Sequence, residues 1–187
     1  MVKKIQLPLT KELAKDLRAG DQVLLTGTLY TSRDAGHKRM VEALDRGEKL
    51  PINPVNATIY YVGPSPAKPG QVIGSAGPTT SGRMDAYAVT MMEAGVRGMI
   101  GKGARSEIVV EAIKKHKAVY FGAIGGAGAL LAKSVKKSRL IAYEDLQSEA
   151  LRELYVEDMP LTVIIDSNGN NLYEIGRKKY LKGKKET

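Results

Sequence analysis

The chain has 187 residues, 43% hydrophobic and 26% charged, proportions that fit one globular domain with a small appendage and exclude a disordered or fibrous chain. Its formal net charge is +9, but six basic residues and one acidic residue fall within 177–187. More than half the excess is therefore a basic C-terminal tail, expected to be solvated, following a single domain over 1–176. The absence of cysteine excludes disulfides, a thiolate nucleophile, a Cys zinc site and a Cys-ligated iron–sulfur cluster in this chain.

In chain order, Thr10 caps a helix over 11–19 that Gly20 ends, and a strand over 23–31 follows. Met40, Val41 and Leu44 at helical spacing predict a helix over 34–46, stopped by Gly47. Residues 57–62 read as a strand, and the prolines at 64, 66 and 69 as a rigid turn region. The stretch 75–82 is too poor in large apolar side chains to be core. It leads into an amphipathic helix carrying Met84, Tyr87, Ala88 and Met91.

Residues 98–100 form a short strand, Ser106 caps a helix with Val109, Ala112 and Ile113 on its apolar side, and 118–121 is a further strand. The glycine-rich stretch 122–128 opens a helix to about residue 136. It lacks the third glycine of a dinucleotide-binding fingerprint. A strand over 140–143 and a β-hairpin, 161–165 and 172–175 around Asp166-Ser167-Asn168-Gly169-Asn170, complete the chain. Helices alternating with strands, then antiparallel β, imply an α/β domain with a mixed sheet.

Polar clusters fall where strands end and helices begin, the usual place for ligands in open α/β sheets. Arg33, Arg83 and Lys102 can together face a small dianion, since guanidinium forks match carboxylates and lysine adds a compact charge. A helix N-terminus at Gly82–Arg83 would add amide donors. Asp34 and His37 are acid/base candidates, with imidazole better suited near neutral pH. Equally, Asp34 can cap the helix while His37 bonds its first turn. The histidines, His37 and His116, are 79 positions apart and form no zinc-binding pattern, so no metal ligand is expected in this chain.

These segments also carry a resemblance. The series Gly27-x-x-Tyr30-Thr31-x-Arg33-Asp34-x-x-His37-Lys38-Arg39, Tyr61-x-Gly63-Pro64, Gly77-Pro78-Thr79-Thr80-x-x-Arg83-Met84-Asp85 and Gly101-Lys102-Gly103 resembles the β subunit, or C-terminal domain, of iron–sulfur (class I) fumarate hydratases and the related L(+)-tartrate dehydratases. The likeness continues through residues 121–130 and the final hairpin.

It implies a swivelling β/β/α domain that closes over an alpha subunit holding a [4Fe–4S] cluster, in a hetero-oligomer that reversibly hydrates fumarate to (S)-malate or dehydrates tartrate; a cytoplasmic location is expected instead from the sequence, which has neither an apolar run of membrane-helix length nor a signal-peptide stretch. By the same resemblance Arg33, Arg83 and Lys102 hold substrate carboxylates, Thr80 offers a hydroxyl, and Thr79 takes the proton from the carbon next to the carboxylate. A rival reading is a noncatalytic basic module for RNA or a partner protein. The single Phe and absent Trp give it no aromatic platform for bases.

Overall fold

In the computed structural model the residues described are 2–123 and 128–183. The glycines at 125 and 126 and the last four residues of the basic stretch therefore lie outside the described residues. No helix among those described is long and apolar enough to cross a membrane.

The architecture is mixed α/β. Strands β1 (Lys3–Gln6), β2 (Gln22–Thr31), β3 (Thr58–Tyr60), β4 (Gly98–Gly101) and β5 (Val119–Gly122) run parallel to one another. Strands β6 (Val135–Ala142) and β7 (Leu151–Ile165) complete the sheet, in the order β1-β2-β3-β4-β5-β7-β6. The fifteen-residue β7 pairs antiparallel with β2, β5 and β6. Because β2 also pairs with β3, the strands β2-β3-β4-β5-β7 close into a circuit.

Alternation along the short parallel strands separates two cores. Tyr60, Ile100 and Phe121 face inward with Leu25 and Leu29 of β2 and Leu154 and Val156 of β7. Their neighbours Ile59, Tyr61, Met99 and Tyr120 face a layer of helices. That layer comprises α2 (Asp34–Asp45), α3 (Asp85–Glu93) and α4 (Glu107–His116), which bury Met40, Met91 and Ile113 respectively. On the inner side, α1 (Lys11–Asp16) contributes Ala14, and α5 (Gly128–Ser134) contributes Leu131.

Several expectations from sequence need correction. The first helix stops at Asp16 because Leu17 turns extended and enters the core. The second arm of the expected hairpin is instead helix α6 (Leu172–Gly183). Asn171 explains this: its side-chain oxygen accepts from Tyr173 N at 3.1 Å, and its carbonyl accepts from Glu174 and Ile175 N, so the chain winds at once. Only one antiparallel bridge, Ile165 with Asn171, remains of the hairpin. The sequence also concealed most of β7, whose apolar alternation is broken by Glu157, Asp158 and Pro160. Asp158 sits at φ 46°, beside a register shift opposite β2. Finally, Gly82–Arg83 does not open an α-helix; residues Ser81–Met84 form a 3-10 turn before α3.

One glycine fixes how closely this turn approaches the sheet. A Cβ on Gly101, at the end of β4, would overlap Ser81 Oγ, which is buried and accepts a hydrogen bond from Tyr120 Oη at 2.9 Å. Gly101→Ala is therefore expected to lower unfolding free energy by about 1–3 kcal/mol, read by chemical denaturation. An unchanged transition would contradict the packing.

Candidate functional site

The carboxyl ends of β2, β3 and β4 lie side by side, and each carries a predicted residue. After β2, the Ser32 amide donates to Tyr60 O at 3.1 Å and Arg33 begins α2. After β3, Tyr61 O accepts from Thr79 N at 2.7 Å. After β4, Lys102 N donates to Thr79 O at 3.4 Å, and Lys102 O accepts from Ser81 N at 2.8 Å. Residues 79–81 are thus wedged between the ends of two neighbouring strands, with Thr80 bridged to Lys102. Thr79 is half-buried, while Thr80, Arg83 and Lys102 lie at the surface.

Asp34 joins the helix side of this edge to the 3-10 turn. Its Oδ1 accepts from Arg83 Nε at 2.9 Å, and its Oδ2 lies 3.9 Å from the Arg33 guanidinium. Arg33 in turn sits 3.5 Å from Glu149 Oε1 and lies over Gly63, where a Cβ would come within 2.9 Å of the guanidinium. The terminal nitrogens of Arg83 and the Lys102 ammonium have no protein partner among the described residues. Arg33 and Arg83 thus lie beside two carboxylates, and Lys102 follows the neighbouring strand end at the surface, an arrangement that leaves positive charge for an anion.

The helix cap differs from the sequence reading. Arg33, not Asp34, occupies the N-cap position, and the free Ala35 amide is met at 3.1 Å by Glu149 Oε2, 114 residues away. His37 does bond the first turn, its Nδ1 lying 3.0 Å from Arg33 O. A carbonyl can only accept, so Nδ1 carries the proton and neutral His37 keeps its lone pair on Nε2. The ring meets Tyr61 edge-on and stacks on Tyr87. Burial lowers its pKa from 6.5 to about 4, against the opposing pull of its hydrogen bond to Arg33 O.

Sequence reasoning missed the support beneath the site. The Arg105 side chain is fully buried, donates to Asp85 Oδ1 at 2.6 Å, and lies between the Tyr61 and Tyr120 rings, 5.3 and 5.1 Å from their centroids. The other Asp85 oxygen accepts from Ser106 N at 2.7 Å, so one carboxylate starts α4 and pins α3 just behind Arg83. Ser106 caps with no side-chain bond of its own. Asp85 was visible in the motif without a role. Arg105 gave no signal, because nothing in a sequence marks an arginine as buried.

The donor set does not fit a metal cluster. The sequence offers no thiolate, and among the described residues no three His, Asp or Glu converge.

Comparison with known proteins bears on this arrangement. A family described as Fumarase C-terminus matches residues 1–176. The putative L(+)-tartrate dehydratase subunit beta of Methanocaldococcus jannaschii is 38% identical over 177 residues, covering 91% of each chain. Fumarate hydratase 2 of Leishmania major is 42% identical over 156 residues, 82% of this chain and 28% of its own length. The aerobic class I fumarate hydratase of Escherichia coli K12 is 40% identical over 152 residues, 80% and 28% of the respective lengths. The chain therefore spans under a third of the fumarate hydratases it matches.

Two stability outcomes follow from the geometry. Asp85→Ala strands the buried Arg105 charge and is expected to cost about 3–5 kcal/mol, measurable by urea unfolding; a loss below 1 kcal/mol would show that the pair is not buried as described. For His37, the unfolded state binds its proton first as pH falls. Its contribution is whole above pH 6.5 and is lost as pH drops toward 4. That difference is worth about 3 kcal/mol, so stability plotted against pH should be flatter between 7 and 4 in His37→Gln than in the wild type. Parallel curves would contradict a buried neutral ring.

Proposed function

We propose that this chain, which belongs to the Fumarase C-terminus family, is the beta subunit of an iron–sulfur hydro-lyase and grips a small dicarboxylic acid for reversible hydration of fumarate to (S)-malate. The observation that carries the reading is the convergence of Arg33, Arg83 and Lys102 on one edge with the Thr79–Thr80 wedge between them. A planar guanidinium binds a carboxylate through two parallel hydrogen bonds, and an ammonium adds a point charge. The terminal nitrogens of Arg83, the Lys102 ammonium and the buried Arg33 Nε have no hydrogen-bond partner among the described residues. Arg33, already braced by Glu149, sets the depth of the site.

In this reading Arg33, Arg83, Lys102 and Thr80 bind and orient the acid, and Thr79 accepts the proton from the carbon next to a carboxylate. A threonine hydroxyl does this only where neighbouring cations stabilise its alkoxide, and the Lys102 backbone amide is bonded to Thr79 O. His37 and Asp34 are the competing proton carriers. His37 is neutral at pH 7 and accepts at Nε2, whereas Asp34 is engaged by Arg83. The residues 1–176 act as one swivelling β/β/α domain, followed by a basic tail, 177–187. The missing half, a [4Fe–4S] cluster supplying Lewis-acid chemistry, is assigned to a cytoplasmic alpha subunit, without which this chain is inactive.

A second reading, the beta subunit of an L(+)-tartrate dehydratase, is favoured by one observation: the relative of that name matches in length, at 91% of both chains. The test that separates the readings is reconstitution with a cluster-bearing partner under anaerobic conditions, with fumarate and tartrate offered separately. The expected result is fumarate turnover by the pair and none by this chain alone. Lys102→Ala should lower kcat/KM by about 100-fold. Turnover by the lone chain, or full activity in the variant, would overturn the assignment.

A further inference from the structure

A second cavity, of about 540 Å³, opens between the proline-rich turn after β3, strand β6 and the segment before β7. Its volume lies within the range of small-molecule sites. One wall is apolar, formed by Pro64, Val72, Ile73 and Leu140, while Ser138 and Gln147 add polar groups. Arg152, the second residue of β7, is the cation in this lining. It is half-buried, on the same face of the strand as Leu154 and Val156, and its guanidinium has no ion pair or hydrogen bond among the described residues. A guanidinium facing a cavity with no acidic partner makes an anionic ligand its natural complement.

The lining also restricts that anion. Glu144 stands in the same wall with no ion pair among the described residues, so a second negative charge would be repelled while an aliphatic chain would meet Val72, Ile73 and Leu140. The backbone of Gln147 is held at φ 53°, ψ −110°, a strained conformation of the kind that gathers at ligand sites. Two residues further on, Glu149 holds both the Arg33 guanidinium and the Ala35 amide. Ser148, between them, lines the cavity, and its carbonyl backs Gly63 under Arg33.

We propose that this cavity is an effector site for a short-chain aliphatic monocarboxylate, bound through Arg152, whose occupancy steadies residues 147–149 and thereby Arg33. The site is separate from the surface of Arg83 and Lys102, and its binding does not depend on the hydro-lyase reading.

Titration of the full chain with butanoate, followed by calorimetry and by amide hydrogen exchange, tests this. Saturable one-to-one binding is expected, weaker by about tenfold or more in Arg152→Gln and unchanged in Arg83→Ala. Leu140→Glu, a change on a half-exposed edge strand, should weaken it equally and keeps the test decisive if Arg152→Gln fails to fold. Succinate should bind this site less well than butanoate, and bound butanoate should slow exchange of the Ala35 amide. Unsaturable binding, wild-type affinity retained in both cavity variants, loss in Arg83→Ala, or Ala35 exchange unmoved by bound butanoate would overturn the proposal.

Discussion

The hydrogen bonds that wedge residues 79–81 between Tyr61 and Lys102 are the constraint from which the rest of the site follows. A segment with few large side chains cannot hold itself by hydrophobic burial, so its position depends on borrowed backbone partners from β3 and β4. Those partners place two threonines beside a lysine and start the 3-10 turn that delivers Arg83 to Asp34. Beneath the wedge, Ser81 bonds Tyr120, while Arg105 fills the space between two tyrosine rings and ties Asp85 to the start of α4.

The charge pattern divides into a holding part and a free part. Asp34 and Asp85 accept hydrogen bonds from Arg83 and Arg105, and Glu149 lies 3.5 Å from Arg33, so these three carboxylates serve to hold strand ends and helices together. Lys102 and the far end of Arg83 are left facing solvent. An exposed ion pair adds little to stability, so these cations are better understood as positioned than as stabilising. His37 is a neutral ring packed between Tyr61 and Tyr87.

Much of this was legible before any coordinates. Helical spacing located α2, α3 and α4 because that signal is local; polar clusters at strand ends pointed to Arg33, Arg83 and Lys102, while Thr79 and Thr80 entered only through the resemblance. What escaped was set by distant contacts. Glu149 caps α2 from 114 residues away, and Arg105 reads as an ordinary surface residue until two tyrosines close around it. The β-favouring Leu172-Tyr173-Glu174-Ile175 became a helix because one Asn171 side chain captured the first free amide. Strand β7 was hidden by the charges and proline along its middle, tolerated there beside a bulge opposite β2.

The proposal is that Arg83 holds one carboxylate of a diacid. It is tested most directly by comparing inhibition of the reconstituted enzyme by succinate and by propanoate, in the wild type and in Arg83→Ala. The account predicts that the preference for the dicarboxylate shrinks by about tenfold or more in the variant, while inhibition by propanoate changes little. An undiminished preference for succinate would place recognition of that carboxylate elsewhere and contradict the account.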